Sequence, residues 1–376
     1  MKKNSRRQGI DFFLFLPIIC LLATGVLMVF SASSVSAYNQ YHNAYYFLQR
    51  QAIWVALGSV IMMIAAGVDY YKLKQYSIYL YIFGLLCLLA VLVLGKTVNG
   101  AKSWIELGPA NLQPSELIKP LVVLELARIL SSKQKKIHSL TEGVGPALVS
   151  LAIVCALIMA QPDLGTTMVL LITAFTMFFV ARVSYLHLGM MAGSGSALGV
   201  FFLLAKSYRK DRIATFMDPW KDPLGTGYQI VQSLYAIGSG GLWGLGLGQS
   251  KQKYLWLPEE HNDFIFAIIG EELGFVGGVF ILGLYALLTS RGLLASRRAP
   301  DDFGRLLAAG LTAMIAVEAI INLAVVTGSM PVTGVTLPFI SYGGSSLLFK
   351  MAGMGILLNI SRHSVQEQPV QSGEAI

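Results

Sequence analysis

Residues 12–31 read FFLFLPIICLLATGVLMVFS, 20 positions without a charge. A helix that crosses a bilayer needs about 20 predominantly apolar residues, so this run alone is long enough to span. Lys2, Lys3, Arg6 and Arg7 precede it, as they would in a signal peptide. The run is longer than a signal core and lacks an A-x-A cleavage site, which predicts an uncleaved first span.

Runs of the same kind recur near residues 52–68, 77–95, 113–130, 145–160, 164–182, 186–205, 263–290, 306–328 and 343–360. Only helices and closed barrels satisfy every backbone group in lipid, and these runs are too long and continuous for barrel strands. The expected fold is all-α, a single polytopic domain of ten transmembrane helices over residues 1–362. Residues 206–262 form a long loop, and a short disordered cytoplasmic tail follows at 363–376. The composition agrees: the 376 residues are 55% hydrophobic and 13% charged, against roughly a quarter charged in soluble domains.

The formal charge of +8 is read as topology, and no nucleic-acid partner is expected. With the N-terminus inside, the inner connections collect Lys72, Lys74, Lys133, Lys135, Lys136, Arg291, Arg297, Arg298 and Arg305. The short outer ones hold only Arg50, Lys96, Lys102 and Lys119. That bias follows the positive-inside rule and places both termini in the cytoplasm; the long 206–262 loop is outside, where long loops escape the rule. Cys20, Cys87 and Cys155 lie in apolar runs and read as small buried hydrophobes.

Two glycine-rich stretches fail as phosphate motifs. "GKT" at 95–97 lacks the glycine five places earlier, where Ala90 stands, and "GGLWGLGLGQ" offers no GxGxxG window. The latter is expected to be a flexible loop touching membrane or substrate. Gly189, Gly193, Gly195 and Gly199 in the seventh span are small-xxx-small pairs, expected to pack inside the monomer.

Ionisable residues inside spans are costly, so they tend to be paired or functional. Glu116 and Lys119 share one helix face, as do Glu125 and Arg128. Asp263 opens the eighth span behind Glu259, Glu260 and His261, with Glu271 and Glu272 following. Glu318 and Asn322 are interior polar residues, and Lys350 calls for an acid, Glu318 or Glu272. Asp163 in "QPDLGTT" and the irregular "MPVTGVTLPFISYGGSS" complete a polar outer face. A carboxylate-lined cleft with nearby Arg and Lys, set in lipid, suits a diphosphate-linked sugar on a hydrocarbon tail. A poorly hydrated carboxylate there has a raised pKa and serves as a general base. A transporter is the competing reading, although its sites usually lie at the midplane.

The stretches "NGAKSWIELGPANLQPSELIK", "AQPDLGTT", "DPLGTGYQIVQSLYAIGSGGLWGLGLGQSKQKYLWLPEEHNDFIFAIIGEELG" and "PVTGVTLPFISYGGSS" resemble the SEDS family of bacterial cell-wall polymerases, typified by FtsW, RodA and SpoVE. The FtsW and SpoVE branch is the nearer one. The resemblance implies a GT-C-like membrane fold that polymerises lipid II into a nascent glycan strand at the outer leaflet of the cell membrane. It implies a class B penicillin-binding protein as transpeptidase partner, contact with membrane lipids, and a divalent cation, magnesium or manganese. By the same resemblance Asp263 is the catalytic base, Glu116 and Lys119 organise the cavity, Arg212 contacts diphosphate and Glu259 is a weaker candidate. Ser341 and Gly343 of "ISYGGSS" are placed in the substrate cavity. A lipid II flippase and a scaffold that activates the transpeptidase are the alternatives. Asn262, where many members have Thr, and Lys350 depart from the family pattern.

Overall fold

The structure, a computed structural model, describes residues 9–98, 101–107, 110–204, 212, 215–254 and 256–363. The expected tail, apart from His363, and the basic residues Lys206, Arg209 and Lys210 lie outside the described residues.

Ten long helices coincide in order with the ten apolar runs: α1 (Phe12–Tyr41), α2 (Tyr46–Gly67), α3 (Tyr70–Leu94), α4 (Pro114–Ser132), α5 (Gly145–Ala160), α6 (Leu164–Val180) and α7 (Tyr185–Leu204), and, after the shorter α8 (Tyr228–Gly240) in the long loop, α9 (Ile265–Arg298), α10 (Asp302–Val326) and α11 (Gly344–Arg362). Among the described residues seven are long and apolar enough to cross a membrane on length and composition alone. The α6 helix is apolar but shorter, and α4 carries Glu116, Lys119, Glu125 and Arg128. Aspartates start several of them. Asp11 accepts from the amides of Phe13 and Leu14, Asp163 from Thr166, and Asp301 from Phe303 and Gly304. Each satisfies amides that the first turn leaves unpaired.

The all-α class holds with one addition. The connection between α3 and α4 is a small antiparallel sheet of β1 (Lys96–Val98), β2 (Ala101–Leu107) and β3 (Ala110–Leu112). Its last strand is tied to the start of α11, where the Ser345 hydroxyl donates to Asn111 O at 2.7 Å.

Helix α10 is the hub. It packs on α4, α6, α9 and α11, and 72% of its apolar window is buried, against 22% for peripheral α2. The segment from Pro331 to Gly343 does not skirt the surface. It folds back into the bundle, burying Leu337, Phe339 and Ile340, and passes so close to α1 that a Cβ at Gly25 would lie 2.4 Å from Phe339 O. Irregular backbone is tolerated at membrane depth when protein surrounds it.

Two expectations are corrected here. Among the described residues, a Cβ at Gly189, Gly193, Gly195 or Gly199 would meet nothing within 4 Å. The glycines of α7 therefore meet no packing partner among the described residues, and that helix sits against α6. The "GGLWGLGLGQ" loop, in turn, is built into a break in α9. At Gly274 the helix leaves helical geometry (φ 68°, ψ −165°), and the freed backbone groups find partners in the loop. Phe275 N donates to Gly241 O, Val276 N to Leu242 O, Leu245 N to Glu271 O and Gly246 N to Glu272 O, all at 2.9–3.1 Å. Glycine permits that approach, since a Cβ on Gly244 would stand 2.1 Å from Glu272 O.

Candidate active site

Four helices converge on two regions of charge. In the first, Lys119 on α4 donates to Glu116 at 2.8 Å and to Glu318 on α10. Lys350 on α11 lies 2.9 Å from Glu318 and 4.0 Å from Glu116. All four side chains are buried. Two cations and two carboxylates make a neutral set, which is how ionised groups persist away from water. The acid required by Lys350 is Glu318. Glu272 is engaged elsewhere, with Lys253 at 3.3 Å and the Ser31 hydroxyl at 2.7 Å.

Glu271 likewise holds the loop before the site, accepting from the Ser250 hydroxyl at 2.5 Å and from the amides of Lys251 and Gln252. The acids that follow Asp263 in the sequence are thus anchors for the long loop. They stand outside the candidate site because half a dozen positions along α9 carry them away from its first turn.

The second region is the turn that precedes α9. Its backbone is stitched to the re-entrant segment: Tyr342 N donates to His261 O at 2.9 Å, and the Ser341 hydroxyl donates to Asn262 O at 2.7 Å while accepting from Leu337 N at 2.8 Å. The Asn262 side chain donates to the Glu259 carboxylate at 2.5 Å, so this departure from Thr is used to fix the turn. Asp263 stands partly buried at its end, its Oδ2 3.7 Å from where a Cβ on Gly334 would be. Burial, followed by the charge of Glu259, pushes the Asp263 carboxyl up from 3.8 to about 7; Asp163 adds to the rise, while Arg212 and His261 oppose it. Burial also raises Asp163, against its hydrogen bonds from Thr166 and the nearby charge of Lys119. The exposed Arg212 donates to Val332 O at 2.9 Å, at the rim of the same segment.

Of the residues singled out from the sequence, Glu259 and Arg212 therefore act electrostatically on the Asp263 carboxylate, with Asp163 added. Glu116 and Lys119 lie in the ionic network beside it. Ser341 and Gly343 line a small cleft with Thr336, Leu337, Phe339, Ser346, Leu347 and Lys350. Glu318 and Lys350 were legible as buried charges needing partners. Asn322 was legible only as an interior polar residue, one helical turn from Glu318. Among the described residues no group of three or more His, Cys, Asp or Glu side chains is arranged to hold a metal ion. No step is assigned to a divalent cation.

A carboxylate that is half protonated near neutral pH, within the electrostatic influence of an exposed guanidinium, is equipped to accept a proton while an anion is held nearby. Comparison with known proteins identifies the family. The profile of the FtsW, RodA and SpoVE family, described as cell cycle protein, matches residues 12–366. Stage V sporulation protein E of Bacillus subtilis (strain 168) is 43% identical over 363 residues, covering 96% of this chain and 99% of the relative. A probable peptidoglycan glycosyltransferase FtsW of Geobacter sp. (strain M18) is 41% identical over 361 residues, covering 95% and 98%. Among solved structures, a chain of a peptidoglycan synthase complex that coordinates polymerization and crosslinking superposes with a TM-score of 0.80 at 31% identity, covering 96% of this chain and 99% of that one. The rod shape determining protein RodA of Thermus thermophilus gives 0.71 at 32% identity over the same shares.

Proposed function

The chain belongs to the FtsW, RodA and SpoVE family, and from that premise we propose that it is a peptidoglycan glycosyltransferase of the cell membrane, polymerising lipid II in cell division or sporulation. It is a multi-pass membrane protein. Its termini face the cytoplasm and the Asp263 region faces outward, a reading supported by the distribution of Lys and Arg across the connections.

Asp263 carries the chemistry. Its carboxylate takes the proton from the 4-hydroxyl of the acceptor sugar as the oxygen attacks the anomeric carbon of the lipid-linked donor strand. The new glycosidic C–O bond forms while the bond from that carbon to the diphosphate breaks, and undecaprenyl diphosphate leaves with the electron pair. Arg212, exposed at the rim, faces the developing charge of the leaving group. The network of Glu116, Lys119, Glu318 and Lys350 holds α4, α10 and α11 in register under the cleft. The observation that carries this reading is the partly buried Asp263 carboxyl, pushed up to about 7 between the turn before α9 and the re-entrant segment. A class B penicillin-binding protein that crosslinks the product is the proposed partner, a reading supported by the resemblance to a synthase complex that coordinates both steps.

The test is polymerisation of lipid II by the full chain in liposomes, with its transpeptidase. Wild type yields glycan strands, and Asp263→Ala loses about 10² to 10⁴ in rate, the usual contribution of a general base. Glycan product from Asp263→Ala at the wild-type rate would overturn the assignment.

A further inference from the structure

Asn322 lies in the middle of the buried face of α10, with 1% of its surface exposed. Its amide nitrogen donates twice, to the backbone carbonyl of Asp263 at 2.7 Å and to that of Val335 at 2.8 Å. Two carbonyls can be bridged only by a group with two donors, so the orientation of this amide is dictated by its partners. The first carbonyl belongs to the base itself. The second belongs to the residue after Gly334, whose Cα side forms the wall beside the Asp263 carboxylate. Ser341 ties the same two segments from the other side, through Asn262 O. One side chain on the rigid central helix thus sets both the main chain that carries the base and the surface against which the base is desolvated.

Neither contact follows from helix packing alone. The re-entrant segment is irregular, and Gly334 holds a left-handed backbone at φ 77°. Without a partner, a buried carbonyl and a partly buried one would lose their hydrogen bonds, and the segments would be free to separate and admit water.

We infer that Asn322 is a positioning residue for the glycosyl transfer, fixing Asp263 against Gly334 without touching substrate. This inference rests on the reading of Asp263 as the base. A displaced base is misaligned with the acceptor hydroxyl, and an error of about 1 Å is enough to cost roughly 10²-fold. It is also better hydrated, which lowers the pH at which it ionises. The charged groups that face it, Glu259, His261, Arg212 and Asp163, are unchanged by substitution at 322, so a shift of that pH reports position.

The experiment compares wild type, Asn322→Leu and Asp263→Ala, each as the full chain in liposomes with lipid II and the transpeptidase. The readouts are kcat, KM for lipid II and the pH dependence of kcat/KM. For Asn322→Leu the expected result is a loss of at least about tenfold in kcat with KM within about twofold, the pattern of an interaction that matters only in the transition state. The acid limb of its pH profile moves down by at least about half a unit as the carboxylate regains water. Should Asn322→Leu fail to fold, Asn322→Ser replaces it, because a serine in a helix satisfies itself on its own carbonyls and leaves both bridged carbonyls unmet. A folded variant with wild-type kcat and an unmoved acid limb overturns the inference, as does a variant in which only KM changes. Polymerisation by Asp263→Ala at the wild-type rate overturns the base assignment instead, whatever Asn322 does.

Discussion

The buried network makes a quantitative prediction. Removing Lys350 alone, as Lys350→Met, leaves Glu116, Glu318 and Lys119 with one uncompensated negative charge under the cleft. The ion pairs at 2.9 and 4.0 Å correspond to gross attractions of about 6 and about 4 kcal/mol at an effective dielectric constant near 20. Several kcal/mol of desolvation for each ion offsets most of this. The expected destabilisation is about 3 kcal/mol, in line with the cost of an unpaired charge at the centre of a membrane helix. Adding Glu318→Gln removes the orphaned charge and leaves Lys119 with Glu116, a neutral pair at 2.8 Å. The double variant should recover most of the loss, giving a coupling energy of about 2 kcal/mol in a double-mutant cycle. Reversible unfolding in bicelles, for example by steric trapping, measures all four corners. A double variant as unstable as the sum of its two singles would refute the claim that these side chains act as one neutral set.

Three further outcomes follow from the site. Because the Asp263 carboxyl ionises near pH 7 and a base must be unprotonated, kcat/KM should rise tenfold per unit below about pH 7 and level off above it; a flat profile from pH 5 to 8 would refute its role. The same shift acts on stability with the opposite sense. The folded pKa is raised above the unfolded value, so the stabilising protonated form is complete below pH 3.8 and is lost as pH rises through about 7. Asp263→Asn, which stays neutral, should therefore gain stability over wild type as pH rises from 4 to 7, measured as a thermal midpoint in detergent. Finally, Gly274→Ala would place a Cβ 2.3 Å from Gly244 N at a residue with φ 68°. The strain of about 1–3 kcal/mol together with the clash should release the 241–249 loop to proteolysis; unchanged protection would refute its docking in the α9 break.

Much of the fold was legible because the bilayer imposes a simple rule. Every apolar run long enough to span had to be a helix, and the ten helices appear where the runs are. The glycines misled in both directions. In α7 a spacing suited to close packing meets no neighbour among the described residues, since spacing says which residues share a face and not what that face meets. In the long loop, a run that reads as flexible is held by four backbone hydrogen bonds to a broken helix, a partner more than 20 positions away.

By itself the sequence determined the solvent, the class of fold, the rarity of buried charge and hence a short roster of groups worth attention, Asp263 and the pair Glu116 and Lys119 foremost. These follow from hydropathy and helical periodicity, which are local. Only the tertiary structure decided who meets whom. It gave Lys350 to Glu318 rather than Glu272, turned Glu271 and Glu272 into loop anchors, and brought the charges of Arg212, Glu259 and Asp163 to bear on one aspartate. It also set the amide of Asn322 between two carbonyls that no spacing along the chain would pair. The physical reason is that a carboxylate's task depends on its burial and on the charges within a few ångströms, and both are properties of segments far apart in the chain folding back on α10.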